Sequence, residues 1–527
     1  MQQAEIIVLL FATVAALAVL AHKLSLPYPI VLVISGLALS FVPRLPEIRL
    51  NPDIVFYFIL PALLYPAALF TSWRDFRRNL RPILMAAIGL VLVTTVTIAW
   101  IAHAILPGLP WPAAFALGAI VSPPDAVAAT AIIRRLGIPH RLDAIVEGES
   151  LVNDATALVA LQFAVAALMT GSFSPGHAAV HFVWAAGAGI GLGLLVGAVM
   201  RWVQSHLDDP PIQVTISLIT PFVAYLPAER LHSSGVLATV AAGIFLGWHS
   251  PMIMSARTRL QAYAFWEMMM FLLNGFVFIV IGLQLPTILR ALSVKSLNGP
   301  IISAIVIGGA VILVRFAWTI PTVYLDRLFR SKSRARDRIL PWQYIAVFGW
   351  AGMRGVVSLA AAFALPISLT DGRPFPGRDY ILFLTFSVIL TTLVLEGLTL
   401  PLLIRKLKIR QDREADEEER QARLEANKAA IEFIENLRAD GKFSPDTVGR
   451  LRAEYDERMG QLELCAENPD DCRGEIATPQ YQRLQRQALR VERKTIIRLR
   501  NERVINDDAL RHIQRDLDLA EARLTGN

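Results

Sequence analysis

Two stretches of this chain put ionisable and oxygen-bearing side chains where almost every neighbour is a hydrocarbon. The run GAIVSPPDAVAATAII carries Ser122, Pro123, Pro124 and Asp125, and the run EGESLVNDATALVAL carries Glu147, Glu149, Ser150, Asn153 and Asp154. A carboxylate with hydroxyl, amide and carbonyl oxygens nearby is a hard-oxygen set, suited to alkali cations rather than soft metals. Ionisable groups at bilayer depth cost several kcal/mol unless paired or hydrated, so those that persist are functional candidates by default.

The spacing sharpens that reading. Pro123 and Pro124 remove two backbone donors and free carbonyls from the helical ladder. At membrane depth this is tolerated only where backbone is buried in protein or lines a wet cavity. A packed kink would account for one proline, whereas Pro-Pro-Asp favours a cation site. Ser150 and Asp154 are four residues apart and share a helical face, with Asn153 displaced by about 100°. Asn153 either joins the ligands, caps a broken helix or bonds to another one. Counting from Arg134 and Asp143 at 1.5 Å per residue, Asp125 and Asp154 lie roughly 14 and 16 Å from the cytoplasmic edge, near the midplane.

The second half repeats the irregularity. IAVFGWAGMRGVVSLAAAF is interrupted by Gly349, Gly352 and Gly355, and paired broken segments in two halves point to an inverted-repeat transporter with its site at the repeat interface. Close helix packing is the other account of these glycines. Arg354 among them and Arg315 in IVIGGAVILVRFAWTI are intramembrane cations that need anions, and Glu149 is the natural partner of Arg315. Glu396 in VLEGLTLPLL reads as a second site or as a partner of Arg354. Glu267, His103 and His249 lie near span ends and read as interfacial.

The elements that must hold these residues are membrane spans. The chain is 54% hydrophobic and only 18% charged, with a mean hydropathy of +0.48, and much of the charge falls after Leu407. Soluble chains carry about 25% charge. Thirteen apolar runs are long enough to cross a hydrocarbon core of roughly 30 Å: near 5–22, 27–43, 52–70, 82–106, 112–133, 143–169, 178–202, 212–227, 234–249, 262–288, 299–324, 342–366 and 380–404. The expected fold is therefore all-α and integral to the membrane, about thirteen transmembrane helices in inverted repeats with crossed, unwound helices. Residues 1–407 form the transport domain, its core including the spans near 112–169 and 342–404, and 408–527 form a helical cytoplasmic tail of about three helices.

Loop arginines and lysines concentrate on one set of alternate loops, among them Arg74, Arg77, Arg78, Arg81, Arg134, Arg141, Arg201 and Arg257. By the positive-inside rule the N-terminus is outside and the tail cytoplasmic. The same topology accounts for the +7 net charge without nucleic acid. Cys465 and Cys472 lie in the tail without the paired spacing of a zinc site, and are expected as reduced thiols. No HExxH helix or P-loop argues for an enzyme, and no TVGYG-like filter argues for a channel.

GESLVNDA, with SPPDAVA before it and GMRGVVSL after it, resembles the monovalent cation/proton antiporter family that includes bacterial and animal sodium/proton exchangers, over about residues 5 to 407. The resemblance implies that Asp154 is the transport carboxylate, Asn153 its amide neighbour, and Ser150 and Asp125 supporting ligands near the unwound crossing helices. It implies a structural ion pair of Glu149 with Arg315. Arg354 matches an arginine of the Gly-rich crossing helix, and Pro123, Pro124, Gly352 and Gly355 are assigned with it to the crossing helices. Asn-Asp members are generally electroneutral, and the family is homodimeric. The implied function is exchange of protons for a monovalent cation, Na+ first and also Li+ or K+, across the cell membrane, with no cofactor. A cation channel or a proton-coupled solute transporter is the alternative. Two positions depart from the pattern: Pro66 stands where relatives usually carry an acid, and Glu396 where many bacterial relatives carry an amide.

Overall fold

The computed structural model describes residues 2–24, 26–42, 51–135, 140–171, 174–292, 298–329, 341–369, 372–409, 413–439 and 443–467, with scattered positions between 488 and 519. Among them the chain is helical throughout, with one isolated bridge between Ser368 and Pro374. It divides into two compact units, Met1–Gln411 and Asp412–Asn527.

In chain order the first unit comprises α1 (Gln2–Lys23), α2 (Tyr28–Leu39), α3 (Pro52–Phe70), α4 (Leu80–Ile105), a broken α5 (α5a, Trp111–Val121; α5b, Ala126–Arg135), α6 (His140–Thr170), α7 (Pro175–Gln204), α8 (Pro210–Arg230), α9 (Gly235–Ile253), α10 (Ala256–Leu283), α11 (Asn298–Phe329), a broken α12 (α12a, Trp342–Trp350; α12b, Val356–Phe363) and α13 (Arg378–Lys406). A short helix, Trp73–Arg78, joins α3 to α4. Nine helices among the described residues are long and apolar enough to span a bilayer. The expected runs at 27–43, 112–133 and 342–366 fall on shorter or interrupted helices, and the run at 5–22 falls on α1, whose apolar stretch is Leu9–Lys23. In α5 and α12 the interruption sits where the Pro-Pro and Gly-rich sequences lie.

The outer surface inverts that of a water-soluble protein. Val180 is 72% exposed, Leu313 69% and Trp100 65%, which acyl chains tolerate and water does not. Association of helices in lipid depends on close backbone approach through small residues, and this chain uses it repeatedly. Gly189, Gly193 and Gly197, four apart on α7, press against Ser234, Ala238 and Phe245 of α9, and a Cβ on any of them would collide. Gly243 and Gly247 bring α9 equally close to Ala68 and Leu69 of α3. Ser234 caps α9 by accepting from the Leu237 N–H at 3.2 Å.

The second unit contains α14 (Arg413–Ala439) and α15 (Pro445–Glu467), with an Arg452–Glu435 ion pair between them and Ile434 and Val448 buried. The expected third tail helix falls mostly outside the described residues, as does Cys472; the Cys465 side chain is likewise not described.

Candidate functional site

Helix α5 stops at Val121 because its ladder runs out of donors. In a continuous helix the Ala119 and Ile120 carbonyls would accept from residues 123 and 124, both prolines without an N–H. The Ser122 hydroxyl replaces one lost donor, reaching Ala119 O at 2.9 Å. The Val121 carbonyl accepts instead from Arg354 Nε at 3.1 Å. Its helical donor, the Asp125 N–H, has turned across to Met353 O at 2.6 Å. That last bond joins the break in α5 to the break in α12.

The chain resumes at α5b with its free N–H groups met by oxygens, as helix N-termini require. Asp125 Oδ1 accepts from Val127 N at 2.8 Å, and the Ser150 hydroxyl of α6 accepts from Ala126 N at 3.3 Å. Asn153, fully buried, donates from Nδ2 to the Pro124 carbonyl at 2.8 Å, while its Oδ1 is buried without a hydrogen bond. Of the roles expected for Asn153, the bond to another helix is present, and one oxygen is left over.

The break in α12 spans Ala351–Gly355, and its glycines are explained by close approach. A Cβ on Gly355 would collide with the Asp125 carboxylate, and one on Gly352 would fall 2.7 Å from Arg315 Cδ and 2.9 Å from Arg354 Nη1. Gly349 instead makes room for the Phe316 ring, so the packing account holds there. Arg354 also donates to the Gly352 carbonyl, and its backbone N–H reaches Thr392 Oγ1 at 3.1 Å.

Arg315 and Arg354, each 1% exposed, serve the two half-helix ends in parallel ways. Arg354 binds the last carbonyl of α5a. Arg315 donates from Nε to Phe348 O in the last turn of α12a at 3.1 Å, with its guanidinium 4.7 Å from the Phe348 ring centre. A cation at a helix C-terminus complements the macrodipole. Arg315 also forms a bidentate pair with Glu149 at 2.7 and 2.8 Å, the strong planar geometry of guanidinium and carboxylate. Glu149 is thereby neutralised five residues before Asp154 on the same helix.

Asp154 has no such partner. Its side chain is 7% exposed, and among the described residues it takes part in no hydrogen bond and no ion pair. Among the described residues, the charge that acts on it most is the like-charged, half-buried Asp125. The expected residues therefore converge: Asp125, Ser150, Asn153 and Asp154 surround the crossing of the two breaks, with Pro123, Pro124, Gly352 and Gly355 forming its backbone. Glu396 lies within reach of the Arg354 charge. It is buried, but makes no ion pair with Arg354, and neither of its oxygens has a hydrogen-bond partner. It closes a π-helical turn, Thr392–Glu396, within α13; such bulges gather at functional sites. Thr392 and the Met353 carbonyl were missed by sequence reasoning. A threonine in an apolar helix and a backbone oxygen carry no signal of their own. His103 is bonded to Leu109 O at 2.7 Å and stacked on Trp111.

Comparison with known proteins agrees with this architecture. Residues 8–406 match the family described as sodium/hydrogen exchanger, transmembrane. A Mycobacterium tuberculosis protein named as an uncharacterized Na+/H+ exchanger is 35% identical over 525 residues, 98% of this chain and 96% of its own length. A Bacillus subtilis protein named as a sodium, potassium, lithium and rubidium/H+ antiporter is 33% identical over 415 residues, 76% of this chain and 61% of that one. Among solved structures, the sodium proton antiporter MjNhaP1 from Methanocaldococcus jannaschii has the same fold, with a TM-score of 0.57 at 20% identity over 77% of this chain and 99% of that one.

Proposed function

Because the chain belongs to the sodium/hydrogen exchanger family, it is a multi-pass membrane protein that exchanges protons for monovalent cations, and we propose that Asp154 takes up either one in turn. The observation that carries the proposal is a buried carboxylate with no hydrogen-bond or ion-pair partner among the described residues, set beside two broken helices. A carboxylate left charged and alone in such surroundings incurs a large desolvation cost. A proton removes that cost, and so does a cation, but one carboxylate does not favourably hold both. Competition at a site open alternately to either side becomes obligatory exchange.

The supporting oxygens are those of Asp125, Ser150 and Asn153. Asp125 Oδ1 and the Ser150 hydroxyl keep lone pairs after capping α5b, and Asn153 Oδ1 is uncommitted. Arg315 and Arg354 brace the half-helices and bind no ion. They fix where carbonyl dipoles point, so the site is assembled before the cation arrives.

The transported cation is Na+ first, with Li+ or K+ also accepted, a breadth supported by the name of the B. subtilis relative. The exchange is one for one and electroneutral, so a potential worth about 2.3 kcal/mol per charge per 100 mV does not drive it. The protein lies in the inner membrane as a pair of chains, N-terminus outside and tail in the cytoplasm, an orientation supported by the loop arginines. The test is cation-dependent proton movement in proteoliposomes. Wild type responds to each alkali cation in turn, the rate is unchanged when the potential is dissipated, and Asp154→Asn is silent. Full exchange by Asp154→Asn would overturn the assignment, and a current that reverses with voltage would overturn electroneutrality.

A further inference from the structure

Away from the crossing, an apolar cavity of about 500 Å³ runs between α4 and α6 on one side and α7 and α9 on the other. Its lining on α6 is the stripe Val152, Ala155 and Val159, immediately beside Asn153 and Asp154. Only Ser234 and Thr156 bring hydroxyls to the lining, and both are engaged locally, with the Leu237 N–H and the Val152 carbonyl. Lining residues Leu80, Leu84, Ile190 and Leu194 are also exposed on the outer face of the bundle, so the groove opens where lipid lies. From Ser234 to Trp248 along α9 it extends roughly 21 Å at 1.5 Å per residue. One leaflet contributes only about 15 Å of hydrocarbon, so the groove takes an acyl chain along its whole length.

One end is basic. Trp73 and Trp248 line the groove there, the residue type that seats at the headgroup level. Arg77 lies on the face of the short helix that carries Trp73, by i,i+4 spacing, and is exposed. Arg201, exposed at the end of α7, follows Gly197 by one turn, and Gly197 packs on Phe245, which places Arg201 level with Trp248. The packing of Gly247 on Leu69 brings the Trp73 helix, four residues further on, to the same level. Neither arginine makes an ion pair among the described residues.

We propose that this groove binds an anionic phospholipid, one acyl chain lying along α6, α7 and α9 and the headgroup phosphate held by Arg77 and Arg201. The acyl chain then sits between the helix that carries Asp154 and the α7–α9 pair. The full-length protein, purified and equilibrated with equal phosphatidylglycerol and phosphatidylcholine, is examined by native mass spectrometry for retained lipid. Wild type retains phosphatidylglycerol in preference. The double variant Arg77→Gln/Arg201→Gln loses that preference by roughly tenfold or more, at about 1 kcal/mol per arginine, and Ala241→Trp, which fills the groove, reduces retention of both lipids. Equal retention of the two lipids by wild type, or an unchanged preference in the double variant, overturns the proposal. The arginines are on the surface and need no repacking, so this arm stands even if Ala241→Trp does not fold. Because the readout is retained lipid, its outcome is independent of the role of Asp154.

Discussion

Asn153 of α6 donates a hydrogen bond to the Pro124 carbonyl of the α5 break at 2.8 Å, tying the helix that carries Asp154 to the backbone freed by two prolines. The bond gives Asn153 a structural role that its neighbour lacks. Asn153→Ala therefore removes a buried hydrogen bond and leaves a carbonyl unsatisfied, at a cost of about 1–3 kcal/mol. The expected outcome is a lower melting temperature and weaker cation affinity with exchange retained. An unchanged melting temperature would remove the brace from the account.

The Glu149–Arg315 pair is predicted to fail asymmetrically. Glu149→Gln leaves a buried guanidinium without its counter-charge, and breaking such pairs costs about 3–5 kcal/mol. The variant should lose thermal stability and yield in the membrane. The exchanged pair Glu149→Arg/Arg315→Glu should recover part of both, measured by fluorescence-detected size exclusion against temperature.

Glycines at the crossing should separate from glycines elsewhere. Gly355→Ala drives a methyl into the Asp125 carboxylate, and Gly352→Ala into Arg315 and Arg354, so both should abolish exchange. Gly309→Ala on α11 meets nothing within 4 Å, and should gain up to about 1 kcal/mol of helix propensity with exchange intact. Equal behaviour of the three variants in proteoliposomes would contradict the close approach.

Proton and cation compete in this account, so the sign of the pH effect is fixed. Lowering pH on the loading side keeps Asp154 protonated and should raise the cation concentration needed for half-maximal rate, leaving the maximal rate attainable at high cation. A fall in maximal rate alone, with unchanged half-saturation, would indicate a proton site separate from the cation site.

Glu396 is buried without a hydrogen-bond partner, but unlike Asp154 it faces the cations Arg354 and Arg315. Glu396→Gln is expected to keep cation-dependent exchange; its loss in the same vesicles would put this carboxylate on the ion path.

Much of this site was legible in the sequence because membranes penalise what the site needs. Pro-Pro-Asp, Asn-Asp and three glycines around an arginine are conspicuous in apolar runs, and each marks an element the structure breaks or crosses. The Glu149–Arg315 pair followed from charge balance between two helices. What was not legible was the partner of each backbone group. Asp125 N–H bonding Met353 O and Arg354 N–H bonding Thr392 follow from how two helix ends meet in three dimensions, and Met353 and Thr392 look like any other residue of their spans. Glu396 was legible only in part: its charge and that of Arg354 act on each other, but the guanidinium's hydrogen bonds go to the Val121 and Gly352 carbonyls.

The central claim is that Asp154 holds a proton until a cation displaces it. Adding Na+ to the purified protein in weak buffer, with a pH indicator present, measures this directly. The account predicts a proton released for each cation bound by wild type, saturating with cation and absent from Asp154→Asn. Cation binding without proton release by wild type, or undiminished release from Asp154→Asn, would contradict it.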